Sequence, residues 1–242
     1  MRRYLFITCL SLTLSMRLHA TNVAVQELSG WYLTDGTGFA NEVFQAVDRE
    51  VPLNAQVRAL PLIRAIYSFK ENKSDCFIGG DKKIFNDLAQ LQVRSSELFL
   101  EVHYVISTLK SEPMISSLAQ LKGKRIGVER GIDINILKDD FSDVKVELGL
   151  FESHLKMLKL NRISAILGYY PDHHNVLNQT HFDPNFIQYS YTDRLNCSVD
   201  PKNEEIINKF NMGLKAIKES GTYDRIWKKY FGEENLLKPD KK

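Results

Sequence analysis

The sequence predicts an α/β protein in two lobes, from three observations. Residues 22–80 alternate strand, helix, strand, helix, strand. From Leu118 the same alternation begins again. At Leu118–Ile134 a short apolar strand, Arg125–Val128, feeds a helix through Gly131. A strand–helix–strand order implies a parallel sheet with covering helices. A helix that starts beyond a strand's carboxyl end aims its free N–H groups at whatever lies there, a natural place for an anion. Ligands of open α/β sheets gather at the same edge. A glycine turn that binds nothing is the plainer reading of that joint alone.

The chain starts differently from the rest. Met1-Arg2-Arg3 is positive, Tyr4–Met16 is apolar, and Leu18-His19-Ala20 places a small residue at its end. This is the layout of a cleavable secretory signal peptide, residues 1–20. The apolar run is shorter than the ~20 residues a spanning helix needs. The expected location is therefore periplasmic. Losing residues 1–20 removes Arg2, Arg3 and Arg17 and no acid, so 32 basic residues become 29 against 30 acidic ones. That balance offers no basic face for nucleic acid. With 43% hydrophobic and 26% charged residues, the 242-residue chain can bury a sizeable core.

Asn22–Gln26 reads as the first strand. The loop Leu28–Gly38 presents Trp31 and Tyr32, which either plug the core or wall a ligand. Phe39–Arg49 is an amphipathic helix. Asn54–Leu60 is a strand stopped by Pro61, and Leu62–Lys70 a helix carrying Arg64 in its first turns. Arg64 faces the cleft or pairs with an acid such as Asp75. Ser74–Ile78 is a strand ending in Gly79-Gly80-Asp81, where two glycines allow a ligand close approach. Leu100–Thr108 is a longer apolar strand. The second series has strands at Arg125–Val128, Val144–Leu150 and Ile163–Leu167, the last running into Gly168-Tyr169-Tyr170-Pro171. Helices Ile132–Asp139 and Glu152–Leu160 lie between them. Strands Phe186–Thr192 and Leu195–Val199 follow, then helices from Asn203 and from Thr222. Residues 233–242 form a polar tail. Cys76 and Cys197 remain after cleavage, as a disulfide or as two buried thiols.

Four stretches in this order resemble a known family. They are Gly38–Val43; Pro61–Ala65 with Asn72–Asp75; Leu118–Val128 with Gly131; and Asn211–Phe231 with its Gly-x-Tyr-x-x-Ile-x-x-x-Tyr-Phe ending. The chain is similar to the extracellular solute-binding proteins of ABC importers, family 3, of the polar-amino-acid type. The resemblance implies a type II periplasmic-binding-protein-like fold. Its first lobe would comprise residues 21–102 and 195–232, its second 103–194, with crossing strands at His103–Thr108 and Tyr189–Arg194. In that fold Cys76 and Cys197 can be neighbours. Function would be closure of the lobes on a small polar solute, with a membrane permease as partner and the chain a monomer.

Two departures matter. The family's Thr-x-Glu-Arg, whose Arg holds the ligand carboxylate, is replaced by Lys83–Leu88, and its Asp for the ligand ammonium by the approach to Tyr169. The expected site therefore draws on Trp31, Tyr32, Arg64, Gly80, Asp81 and Glu97 in the first lobe. The second contributes Arg130, Gly131, the N–H groups from Ile132 onward, and Tyr169. No cofactor is expected. His173, His174 and His181 form no metal pattern of clear spacing. The alternatives are a solute sensor that docks a receptor, and a dehydratase-like enzyme of the same fold. The chain has no nucleophile–base motif or phosphate loop for the latter.

Overall fold

A computed structural model describes residues 20–27, 30–80, 91–130, 132, 141–171 and 179–232. In chain order the elements begin with β1 (Thr21–Gln26), α1 (Phe39–Glu50), β2 (Ala55–Leu60), α2 (Leu62–Lys70), β3 (Cys76–Ile78), β4 (Val93–Ser95) and β5 (Leu100–Leu109). A 3-10 turn at Leu118–Leu121 leads to β6 (Arg125–Glu129), β7 (Lys145–Gly149), α3 (Phe151–Lys159) and β8 (Ala165–Tyr170). The chain finishes with β9 (Thr180–His181), β10 (Ile187–Asp193), β11 (Leu195–Ser198), α4 (Glu204–Glu219) and α5 (Thr222–Phe231).

Two sheets result. The first has the order β2-β1-β3-β11-β4 and the second β10-β5-β8-β6-β7, with β9 on β5. Both are mixed where the sequence suggests mostly parallel. β1 runs parallel to β2 and β3, while the returning β11 lies antiparallel to β3 and β4. β6 is parallel to β7 and β8, while β5 is antiparallel to β8 and β10. The cause is the chain path: β5 and β11 carry the chain out of one sheet and back to it, and enter against the parallel strands.

Phe39 opens α1 and is the centre of the first lobe's core. Its ring contacts those of Trp31, Tyr223, Trp227, Tyr230 and Phe231, with centroids 4.7–6.2 Å away. Residues 39, 43 and 47 of α1 fall on one side, as a 3.6-residue period requires, and are buried there. On the other face α2 buries only Ala65 and Phe69, against Ala24 and Phe77.

Glycines set the second lobe's packing. Gly127, Gly149 and Gly168 lie on three adjacent strands and bring α3 close. A Cβ on Gly127 would stand 2.5 Å from His154 Cγ, one on Gly149 2.7 Å from its Nε2, and one on Gly168 3.2 Å from the Phe151 ring. The His154 imidazole thus lies flat on strand backbone that side chains would cover in other sheets.

Cys76 and Cys197 are directly opposed across β3 and β11. Gly79 N–H to Arg194 O and Ser198 N–H to Asp75 O mark hydrogen-bonded pairs on either side. Alternation makes the cysteine pair a non-hydrogen-bonded one, where antiparallel strands come closest. Their Cα atoms are 4.0 Å apart and the sulfurs are joined.

Candidate functional site

The geometry of the crossing strands locates the cleft. The parallel strands of the first sheet end at Gln26, Leu60 and Ile78, and those of the second at Glu129, Gly149 and Tyr170. On β5, Tyr170 pairs with His103 and Asp193 pairs with Leu100. Three residues of strand, about 10 Å, therefore separate the end of β8 from the point where β10 meets the first lobe. Both sets of carboxyl ends lie toward that crossing segment.

In the first lobe, Trp31 is 5% exposed and stacks on Phe99 and Phe39, at centroid distances of 5.7 and 6.1 Å. Its ring packs the core and is no outer ligand wall, because the loop folds it inward over α1. Tyr32 is buried as well, and burial pushes its phenol up to about 12. Arg64 is exposed on the first turn of α2, beyond the end of β2. Asp75 is held by Lys202 at 2.8 Å and by the Asn22 N–H at 2.9 Å.

Gly80 has a different role from the one its sequence suggests. Its N–H donates to Asp193 Oδ1 at 2.5 Å, and the Asn196 amide donates to the carbonyls of Gly79 and Gly80 at 3.0 and 3.1 Å. The turn is braced from within. Glu97 lies two residues past the end of β4, its N–H donating to Asn211 Oδ1 on α4 at 2.8 Å. Its carboxylate acts on Lys218 of the same helix, whose ammonium is depressed by burial and partly restored by Glu97. Asp81 and Gly131 lie outside the described residues, as do the signal segment, His173 and His174, and the helix expected after Ile132. His181 Nε2 meets Glu112 O at 2.8 Å.

In the second lobe, Gly168, Tyr169 and Tyr170 belong to β8 and not to a loop. β5 keeps pairing with them through His103–Val105. Tyr189, Tyr104 and Tyr169 stand opposite one another on three neighbouring strands, with centroids 5.4 Å apart at each step. Tyr169 is 8% exposed. Arg130 is exposed at the end of β6, and Ile132 is buried beside it.

Four residues without a signal in the sequence shape this region. Glu129 reads as a turn residue, yet it ends β6, is buried, and accepts the Tyr169 N–H at 3.4 Å. His154 lies beneath it; burial depresses its imidazole, offset in part by Glu129 and Glu147. His154 Nδ1 has no hydrogen-bond partner among the described residues. Asp193 and Asn196 are the other two. A polar residue inside an apolar run, as in Leu195-Asn196-Cys197, was the only available hint. On the crossing itself, His103 Nδ1 and Ser190 Oγ are 2.7 Å apart, and burial depresses the His103 imidazole, with Glu101 opposing it.

Known proteins share this architecture. The Arginine-binding periplasmic protein of Mannheimia haemolytica is 24% identical over 207 residues, covering 81% of this chain and 82% of that one. The GluR0 ligand-binding core from Nostoc punctiforme, solved with L-glutamate, matches with a TM-score of 0.68 at 16% identity, over 88% of this chain and 100% of the other. ArtJ, the arginine-, lysine-, histidine-binding protein of Geobacillus stearothermophilus, matches with a TM-score of 0.66 at 20% identity, over 90% and 98%. At such identities the structural likeness shows the fold. The family model of the bacterial extracellular solute-binding proteins, family 3, matches residues 31–233, and the chain belongs to that family.

Proposed function

We propose that this chain binds one small, polar, amino-acid-like solute between its lobes, closes on it, and delivers it to the permease of an ABC-type importer. The observation that carries this reading is that the two sets of strand carboxyl ends lie at either end of about 10 Å of crossing strand. Arg130 would take an anionic group of the solute from the second lobe, with Arg64 approaching from the opposite rim; the Ile132 N–H, expected to share in this, instead donates to Glu129 O at 3.2 Å. Tyr169, backed by Tyr104, would supply an aromatic wall. Trp31 and Tyr32 would shape the first lobe from behind, and Asp81 and Glu97 would add negative charge at its rim. The relatives named arginine-binding make a cationic amino acid the first solute to try. The chain is a binder without cofactor, a monomer, and periplasmic after cleavage behind Ala20.

A thermal-shift screen of amino acids, polyamines and organic acids tests this. A solute at ~100 times its dissociation constant stabilises the native state by about 2.7 kcal/mol. We expect one solute class to raise the unfolding midpoint and Tyr169→Ala to abolish the rise. No shift with any of them, or an undiminished shift in Tyr169→Ala, overturns the assignment of the cleft.

A further inference from the structure

The second lobe carries its cations at one end. Its parallel strands β6, β7 and β8 finish at the cleft, so their amino ends lie one strand length away, about 16 Å for the five residues of β6. β5 runs antiparallel to β8, with Ser107 opposite Ile166, and its last residue, Leu109, reaches that same far end. Arg125 opens β6 and pairs in register with Lys145 at the start of β7. Lys124 O accepts the Lys145 N–H at 2.9 Å, and Arg125 O accepts the Ser164 N–H at 2.8 Å, two residues past Arg162. Lys156 and Lys159 occupy the last turn of α3, and the Arg162 N–H folds back onto Met157 O at 2.9 Å. Lys110 follows β5. All of these residues are exposed.

Few carboxylates answer them. Lys122 lies 3.9 Å from Asp143 and Arg125 lies 3.4 Å from Glu147, both pairs open to solvent. Lys110, Lys124, Lys145, Lys156, Lys159 and Arg162 form no ion pair among the described residues; Asp139 and Asp140 lie outside those residues. The first lobe differs, since Arg94, Lys202 and Lys229 each meet a carboxylate there. The near balance of charge over the mature chain conceals this concentration. A second observation is independent of charge. Leu160, between Lys159 and Arg162, is 62% exposed, and Met114 is 42% exposed. Met114 belongs to the same end, because the carbonyl of Pro113 before it accepts the Thr108 hydroxyl of β5 at 3.1 Å.

We propose that this far end of the second lobe docks on the anionic phospholipid headgroups of a membrane surface. The cations spread over four neighbouring strands, about 15 Å at the usual strand spacing, a footprint suited to a charged surface and not to one small anion. Attraction to an anionic leaflet grows with each basic residue near it and fades beyond a screening length of about 8 Å at physiological salt. Exposed apolar side chains among the cations add nothing to binding a dissolved polyanion, whereas they suit the boundary between headgroups and acyl chains. The permease of an ABC importer lies in a membrane, and the cleft is at the opposite end of the sheet, so a docked chain still admits solute. The inference goes beyond the proposed solute-binding function and does not depend on which solute the cleft takes.

The experiment is co-sedimentation of the mature chain with vesicles of phosphatidylcholine alone and of phosphatidylcholine with one-third phosphatidylglycerol. It is repeated on Lys124→Glu/Lys145→Glu/Arg162→Glu and on Arg49→Glu/Lys70→Glu/Lys215→Glu, which changes the net charge equally but on the first lobe. The expected result is binding at least ten-fold tighter to the anionic vesicles, weakened at least ten-fold as salt rises from about 0.05 M to about 0.5 M. The second-lobe variant should lose at least ten-fold and the first-lobe variant less than three-fold. No binding to anionic vesicles at the lower salt overturns the proposal, as does equal binding to the neutral ones. Equal losses in the two variants also overturn it, since net charge and not this end would then be responsible. A short DNA duplex bound as tightly as the anionic vesicles overturns the assignment to lipid. Alanine in place of glutamate at the same three positions, expected to lose at least three-fold, decides the matter where the reversed charges prevent folding. None of these outcomes bears on the solute-binding reading, which the thermal-shift screen tests separately.

Discussion

Removing the Cys76–Cys197 link is expected to cost this protein much of its stability. The two residues are 121 apart in sequence, so the bond closes a long loop in the unfolded chain. In the chain-entropy model the loss is ΔS ≈ −2.1 − 1.5R ln n, about 16 cal/mol/K at this separation, or about 5 kcal/mol at 25 °C. Whole domains are stable by about 5–15 kcal/mol, so the bond is a large fraction of the total. Both cysteines are fully buried in the first sheet, and reductant in native buffer reaches them only through unfolding. The informative comparison is therefore Cys76→Ala/Cys197→Ala against wild type in urea, with both thiols removed so that neither is left reactive. With a slope of about 2–3 kcal/mol per molar urea, the midpoint should fall by about 2 M. A fall below about 0.3 M would refute the reasoning. So would the titration of two free thiols in unreduced, unfolded wild type.

Two further outcomes follow from the packing of the second lobe. Gly127→Ala places a Cβ 2.5 Å from His154, whose Nε2 is already against Gly149; overpacking of this kind costs about 1–3 kcal/mol. Adding His154→Ala should return part of that loss in urea unfolding, and strictly additive losses would show that the two sites do not touch. Acidification should also destabilise the fold. The His154 and His103 imidazoles are depressed in the folded state, so the unfolded chain takes up these protons first. Their stabilising contribution is complete above about pH 6.5. It is lost as the pH falls from there through the lower folded values, at up to about 1.4 kcal/mol per pH unit for each. The carboxylates lowered by their partners, such as Glu42 and Asp183, act at lower pH. A melting temperature that is flat or rising between pH 7.5 and 5.5 would contradict this, and His154→Gln should shallow the decline.

Local pattern was enough for the strand–helix alternation, for the amphipathic helices at Phe39 and Asn203, and for the family resemblance. Each depends on residues a few positions apart, and hydrophobic periodicity reports such short-range order directly. The extent of β8 was not legible. Gly168-Tyr169-Tyr170 looks like a turn, and it is a strand only because β5, some 65 positions away, offers it pairing partners. Trp31 likewise reads as either wall or core until Phe39 and Phe99 enclose it. The roles of Gly80 and Asp193 depend on the return of the chain after 113 residues. No local property of a glycine pair tells whether its N–H groups await a ligand or are already taken by a carboxylate from a distant strand. Periodicity sets which elements form and which faces are apolar. Which polar groups meet across the cleft is decided by long-range register, and that exists only in the folded chain.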